Sequence, residues 1–311
     1  LPWAEKNYRA YLPFFPYAIE GLDVSSYDLI LSSSHCAAKG VLSHSDQLHI
    51  CYCHTPARYA WDLMREYLRG KRVWNKIAQV FLHSFRSWDV QSSNRVDEFI
   101  ANSRYVAQRI KKIYRREAHV IYPPVDTAFF QKGKKKENYY VTASRLVPYK
   151  RVDLIVKAFS LMPDKRLLVI GSGPEKRVIL KNARKNIEFL PDLPKEQLRS
   201  ALQEAKGFVF AAVEDFGILP LEAMACGTPV IGLNRGGLRE TVKPNVTGLF
   251  FEEQSVSSIK EALEQFERKE FDPELIRQHA EMFSKERFQM EFREFIEDRY
   301  AAFQRSRSCM L

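Results

Sequence analysis

Short apolar runs of strand type recur along this chain, and most lead into a stretch with helical spacing. In the first part Tyr27–Leu31, Leu48–Cys53 and Glu98–Ala101 have this character; in the second, Tyr139–Ala143, Arg166–Ile170, Asn186–Leu190, Phe208–Val213 and Pro229–Gly232 do. Strands alternating with helices build parallel sheets covered on both faces, so the expected class is α/β, doubly wound. The alternation pauses at Val120-Ile-Tyr-Pro123-Pro124-Val-Asp126, where consecutive prolines force extended backbone, and then restarts. Two domains are therefore expected, at 1–124 and 125–283. A charged helical segment, 284–311, completes the chain and could pack back toward the first domain. With 311 residues the chain is long enough for two cores.

Composition removes several classes. The chain is 45% hydrophobic and 28% charged, a globular rather than disordered balance, and its apolar runs are too short to span a bilayer. No signal-peptide pattern is found. Five cysteines, at Cys36, Cys51, Cys53, Cys226 and Cys309, form no regular framework, which points to a reducing cytoplasm. Cys51-Tyr-Cys53-His54 lacks the second cluster that a zinc site needs, so no metal is expected and these thiols read as buried strand residues. The net charge of +10 is uneven. Residues 1–124 hold 17 Lys and Arg against 11 Asp and Glu, whereas residues 125–311 hold 31 against 27. Arg65, Arg69, Lys71, Arg72 and Lys76 interleave with Trp61, Tyr67 and Trp74, and a second basic run covers Lys111, Lys112, Arg115 and Arg116. Such patches fit an anionic membrane or a phosphate-bearing acceptor, or simply a solvated helix face. Nucleic acid is not an expected partner, because no nucleic-acid motif accompanies the charge.

Chemistry concentrates in the second part. In Glu214-Asp-Phe-Gly-Ile-Leu-Pro-Leu-Glu222 a Gly-containing loop turns into a short helix, expected over Leu219–Cys226 because Pro220 suits its first turn and Gly227-Thr-Pro229 stops it. Unpaired amides at that N-terminus, with the helix dipole, suit an anion such as a diphosphate. Ionised carboxylates only accept hydrogen bonds, so Glu214 and Glu222 suit the hydroxyls of a sugar and a ribose. Arg145 and Lys150 follow the first strand of this part and can supply charge-assisted bonds to phosphate oxygens. Arg145, Gly171, Leu193, Glu214 and Gly236 all fall after strands, where parallel sheets bind ligands.

Taken together, Arg145 with Lys150, the Gly171-Ser-Gly173-Pro174 loop, Glu214-x7-Glu222 and Gly236-Gly237-x-x-Glu240 resemble the retaining glycosyltransferases of the GT-B fold, family four, also called group one. The likeness is strongest from about Tyr140 to Phe250. It extends more loosely to Ser32-Ser-Ser-His35, His54-Thr-Pro, Ala101-Asn-Ser103 and the Pro-Pro-Val-Asp linker. The resemblance implies two Rossmann-like domains facing a cleft, the first domain accepting and the second holding a nucleotide sugar. It implies that Arg145 and Lys150 hold the donor diphosphate, Glu222 the ribose, and Glu214 a hydroxyl of the transferred sugar. Backbone of Phe216, Gly217, Ile218 and Leu219 would touch sugar and phosphate, Gly173 would line the donor site, and Leu193 would read the base through its backbone. His54 is similar to a first-domain histidine acting on the donor sugar, with His35 as the other candidate; Asn102 and Ser103 are expected to cap a helix rather than touch an acceptor.

The same resemblance implies a metal-independent reaction without a cofactor, with front-face attack and retention. GDP-mannose is the best-fitting donor, a glycan or polyprenyl-linked lipid the acceptor, and the inner face of the membrane the place of work. The chain departs from the family pattern in one respect. It starts at Leu1 without the Gly-rich loop that follows the family's first strand, so the first domain is expected to be incomplete. Rival readings are a sugar-nucleotide epimerase or a phosphorylase of the same fold, and a module that binds sugar nucleotide without turnover. An oxidoreductase is disfavoured, since Lys176 stands where the dinucleotide fingerprint needs glycine.

Overall fold

The computed structural model describes residues 8–64 and 74–308. The chain folds into two compact units, one running to Tyr122 and resuming at Met290, the other covering Pro123–Gln289.

In the first unit, helix α1 (Phe15–Glu20) precedes strands β1 (Leu29–Ser34) and β2 (Leu48–Cys53), helix α2 (Trp74–Ser93), strand β3 (Glu98–Ala101), helix α3 (Arg104–Tyr114) and the two-residue strand β4 (His119–Val120). All pairings are parallel, in the order β1-β2-β3-β4. β2 is buried at every position, as a central strand covered on both faces must be, whereas β1 alternates and exposes Leu31 and Ser33. Cys51 and Cys53 enter a core with Phe99, Val106, Ile110 and Tyr114, the buried strand role expected of these thiols. Ser103 caps α3 by accepting from the Val106 amide at 3.0 Å. The same unit holds a buried charge pair: Lys39 Nζ is 2.8 Å from Asp89 Oδ1, and Asp89 also accepts from the Trp61 indole (2.8 Å) and the Tyr114 hydroxyl (3.1 Å). Lys39 further donates to Ser92 Oγ at 2.8 Å, so both buried ions are well engaged.

Two expectations shift here. The first strand begins at Leu29 and runs through Ser34, followed by a single 3₁₀ turn, Ala38–Gly40. Part of the expected linker pairs as β4, because Ile100 and Ala101 offer His119 and Val120 an open parallel edge. Arg65, Tyr67, Arg69, Lys71 and Arg72 of the expected basic patch, and Cys309, lie outside the described residues.

The second unit contains strands β5 (Tyr139–Ala143), β6 (Arg166–Ile170), β7 (Ile187–Leu190), β8 (Gly207–Phe210), β9 (Val230–Leu233) and β10 (Gly248–Phe251). Helices α4 (Val152–Ser160), α5 (Lys176–Leu180), α6 (Lys195–Glu204), α7 (Ile218–Ala225), α8 (Leu238–Thr241), α9 (Val256–Phe266) and α10 (Pro273–Glu281) connect and follow them. The sheet is wholly parallel in the order β10-β9-β8-β5-β6-β7. Its core joins Val156, Phe159 and Leu167 on one flank to Ile231, Leu249 and Leu263 on the other. The boundary between the units falls inside the last helix, α11 (Lys285–Ser308). Its later part packs on the first unit's sheet, with Phe292 edge-on to Tyr52 and Phe295 stacked on His119.

Candidate active site

The strand order creates the site. The chain adds β5, β6 and β7 in one direction, then returns to lay β8 beside β5 and builds outward the other way. Loops leaving the C-terminal ends of β5 and β8 therefore diverge, and that reversal is where open parallel sheets hold ligands. Arg145 follows β5 and Glu214 follows β8, so both predicted residues flank the reversal.

Between them sits Lys150, at the end of a 3₁₀ turn, Pro148–Lys150. Its ammonium contacts Glu214 Oε1 and lies 5.5 Å and 5.6 Å from the ring centres of Tyr149 and Phe210. Both partners are less than one-fifth exposed. The cation meant for phosphate and the carboxylate meant for a sugar hydroxyl thus pair with each other. Sequence spacing did not show this, because the two positions lie 64 apart, 214 minus 150, along the chain. Arg145 is exposed and makes no ion pair among the described residues. Ser144 Oγ beside it is enclosed by protein, with no hydrogen-bond partner among the described residues.

Two pairs of glycines bring the loops together. A Cβ on Gly171 would stand 2.0 Å from Ser144 O, and one on Gly173 would stand 2.2 Å from Leu146 O. Their lack of side chains lets Leu146 N donate to Ser172 O at 2.8 Å and lets Glu175 N return to Leu146 O. On the other side Gly236 adopts φ +69°, and Gly237 N donates to Glu214 O at 2.9 Å, where side chains would collide with Glu214 O and Asp215 O at 2.4 Å.

α7 begins at Ile218, one residue before the expected start, after Gly217 at φ +92°. Phe216 is buried against the Phe283 ring, 5.9 Å between centroids, which anchors the loop just ahead of the helix. Pro220 has no N–H to leave unpaired, so the open amides of this turn belong to its neighbours, Ile218 and Leu219 among them. Glu222, two residues on, is largely enclosed, and burial raises its carboxyl to about 7, with Lys195 opposing and Asp126 adding to the rise. Asp126 itself is pulled down to about 2 by hydrogen bonds from Lys285 (2.8 Å) and Lys195 (2.9 Å). Sequence reading missed Asp126 and Lys195 as neighbours of Glu222. The only signal was their placement, in the Pro-Pro-Val-Asp turn and two residues after Leu193. Leu193 lines a cavity of about 430 Å³ with Tyr139, Arg166, Glu188 and Gln197, on the flank of the sheet beneath α6.

His54 lies in the first unit, directly after β2. Its Nε2 is 2.8 Å from Ser33 Oγ, its ring meets Tyr52 edge-on, and burial together with the charge of His35 lowers its pKa. Pro56 O, two residues later, accepts from Arg109 Nη2 at 3.2 Å, and Arg109 also grips Asp62, so α3 fixes this turn. His35 is exposed beyond the end of β1.

Family models give the wider context. That of the glycosyl transferases group 1 matches residues 125–287, more than half of the chain, and that of glycosyltransferase family 4 matches residues 1–129. The chain belongs to the group 1 glycosyltransferases. Among curated relatives of this glycosyltransferase, a GDP-mannose-dependent monoacylated α-(1-6)-phosphatidylinositol monomannoside mannosyltransferase of Corynebacterium glutamicum is 38% identical over 135 residues, 39% of this chain and 35% of that protein. A D-inositol 3-phosphate glycosyltransferase of Mycobacterium leprae is 26% identical over 209 residues, 59% of this chain and 49% of that one. The chain thus spans between a third and a half of the length of these relatives. Solved structures agree on the fold. A sucrose-phosphate synthase from Thermosynechococcus elongatus superposes with TM-score 0.75 at 19% identity, covering 96% of this chain and 80% of that one. Anabaena HepE in complex with UDP-glucose does so with TM-score 0.67 at 18% identity, covering 88% and 79%. The fold of this glycosyltransferase is GT-B, with two Rossmann-like units.

Proposed function

We propose that the chain carries the machinery for moving a hexosyl group from a nucleoside-diphosphate sugar, best fitted by GDP-mannose, to a hydroxyl of a glycan or polyprenyl-linked acceptor. The observation that carries this reading is the gathering of Arg145, Lys150, Glu214 and the start of α7 at the strand reversal of the second unit. Mannose is favoured by the GDP-mannose dependence of the corynebacterial relative.

Breaking the bond between the anomeric carbon and the diphosphate builds negative charge on the leaving oxygen and positive character on the ring. Arg145, Lys150 and the amides around Gly217, Ile218 and Leu219 meet that negative charge, work that a divalent cation does in other enzymes, so the reaction is assigned as metal-independent. An arriving diphosphate takes Lys150 from Glu214, which frees the carboxylate to accept from a sugar hydroxyl. Glu222 accepts from the ribose, Leu193 meets the base, and Gly173 and Phe216 line the path between. The acceptor hydroxyl attacks from the face the diphosphate leaves, passing its proton to the departing phosphate oxygen, which retains configuration. His54 is assigned a catalytic role from the first unit. In this reading residues 1–124 serve the acceptor, 125–283 the donor, and 284–311 form a closing helical segment.

No helix among the described residues is long and apolar enough to cross a membrane. The exposed basic face of α3, with Arg104, Lys111 and Lys112, and Arg115 just after it, support peripheral contact with an anionic cytoplasmic leaflet, where surface-polysaccharide or glycolipid acceptors reside. The test combines melting temperature against a panel of nucleoside diphosphates and their sugars with turnover in the presence of a chelator and NMR of the product's anomeric centre. GDP-mannose is expected to raise the melting point most, and turnover to survive chelation with retention. A chain stabilised by none of the panel, or a trapped glycosyl–Glu214 adduct, would overturn the donor reading or the mechanism respectively.

A further inference from the structure

Helix α10 packs along α7 and ends the second unit's helical layer. Asp272 caps it by accepting from Glu274 N at 2.8 Å, Pro273 opens its first turn, and Ile276 and Ala280 face the core. Arg277 stands between those two apolar residues, about one-fifth exposed, and its guanidinium serves three carbonyls on two separate segments. Nη1 donates to Ala225 O at 2.9 Å and to Phe130 O at 3.0 Å, while Nη2 donates to Thr127 O at 3.2 Å; Nε pairs with Glu281 at 3.0 Å.

The two segments are those that surround Glu222. Ala225 closes α7 one turn after Glu222, and its carbonyl is one that a helix end leaves without an internal partner. Thr127 and Phe130 belong to the turn that begins at Asp126. Lys195, the other charge acting on Glu222, rides over the rings of Phe129 and Phe130 at 4.3 Å and 5.4 Å. Both charges next to Glu222 are therefore referenced to the backbone that Arg277 holds, and so is the helix bearing Glu222.

We propose that Arg277 is a positioning residue for donor binding: its fork locks the last turn of α7 to the Asp126–Phe130 turn, and so sets where the Glu222 carboxylate meets the ribose of a nucleoside-diphosphate sugar. This rests on the assignment of Glu222 to the ribose. The guanidinium is what the geometry requires: Nη1 bridges Ala225 O and Phe130 O while Nη2 adds Thr127 O and Nε holds Glu281, four contacts that the three donors on the single nitrogen of a lysine cannot all make.

The test uses the full chain, calorimetric titration with GDP-mannose and with UDP-glucose from pH 5.5 to pH 9, and four variants. Arg277→Lys and Arg277→Met remove the fork, and Lys keeps the charge should Met fail to fold. Tyr140→Phe removes a core hydrogen bond to Glu267 in the same unit and serves as a stability control. Glu222→Gln tests the underlying assignment. Expected is an affinity about tenfold weaker in both Arg277 variants, the scale of one charge-assisted hydrogen bond. The pH midpoint of binding should also move, because the ionisation of Glu222 answers to its enclosure and to Asp126 and Lys195, whose spacing to it would change. KM for the donor should rise more than kcat falls. Tyr140→Phe should lower the melting point without touching affinity or midpoint. The proposal is overturned if both Arg277 variants bind as the native chain does with the same midpoint, or if affinity simply follows melting temperature through Tyr140→Phe. Native chain that binds neither probe, or Glu222→Gln that binds normally, removes the ribose assignment and this proposal with it.

Discussion

Among the candidate site's carboxylates, Glu222 is the one whose ionisation its surroundings shift upward. Burial lifts its carboxyl from 4.5 to about 7, so between those values the folded chain holds a proton that the unfolded chain has already released. Stability contributed through this group therefore falls as pH rises across that window and stays low above it. Glu222→Gln should remove the slope. Relative to the native chain it is expected to gain about 1–3 kcal/mol of unfolding free energy between pH 4.5 and pH 8, read from urea midpoints, and parallel curves would contradict this. Donor affinity should move the opposite way, strengthening as pH rises through about 7, since the ionised carboxylate is the better acceptor for ribose hydroxyls. Lys150 and Glu214 pose a second residue-scale case. Both were identifiable from their motifs, but their contact was not, because it arises where β5 and β8 become neighbours. Lys150→Met is expected to lower kcat about 100-fold by withdrawing a charge from the leaving phosphate, with a smaller effect on donor KM, measured by steady-state kinetics. Equal losses in Arg145→Met and Lys150→Met with kcat untouched would point to ground-state binding instead.

At the scale of elements, the site is a set of strand-to-helix loops pressed together by missing side chains. Gly171, Gly173, Gly236 and Gly237 were readable as loop glycines, and Gly236 does take the positive φ a turn glycine allows. What the sequence could not show is what each would strike. Gly237→Ala places a methyl 2.4 Å from Asp215 O, against backbone that cannot swing aside as a side chain could. It is expected to cost about 2–4 kcal/mol and to weaken donor binding through the Glu214–Phe216 loop, as seen by denaturation and by titration with GDP-mannose. A fully stable variant would show that this loop has slack. Element boundaries followed local signals well where capping chemistry was strong, as at Ser103 before α3. They shifted where pairing decided, as at β4, whose two residues carry little strand signal and join the sheet only because β3 presents an open edge.

For the molecule as a whole, the division into two units separates the buried Lys39–Asp89 pair from the donor-site residues. Removing one partner of a buried ion pair strands the other, so Asp89→Ala is expected to destabilise the first unit by about 3–5 kcal/mol. Nucleotide affinity, which the proposed function assigns to Arg145, Lys150 and Glu222 in the second unit, should stay within about threefold at a temperature where the variant is folded. Titration calorimetry checks this, and a large loss would show that the nucleotide needs the first unit. By itself the sequence determined the α/β class and the pause near Pro123–Pro124, because period-two and helical apolar patterns and paired prolines are local properties. It also singled out the residue types proposed to meet the donor, since acceptor-only carboxylates, cations suited to phosphate and backbone-permitting glycines are each chemically legible one at a time. Only the tertiary structure decided that Lys150 meets Glu214, that Asp126 and Lys195 tune Glu222, and that Arg277 ties α7 to the linker turn. Such pairings reach across as many as 150 positions, from Thr127 to Arg277, and their energies come into being only when the parallel sheet sets distant segments side by side.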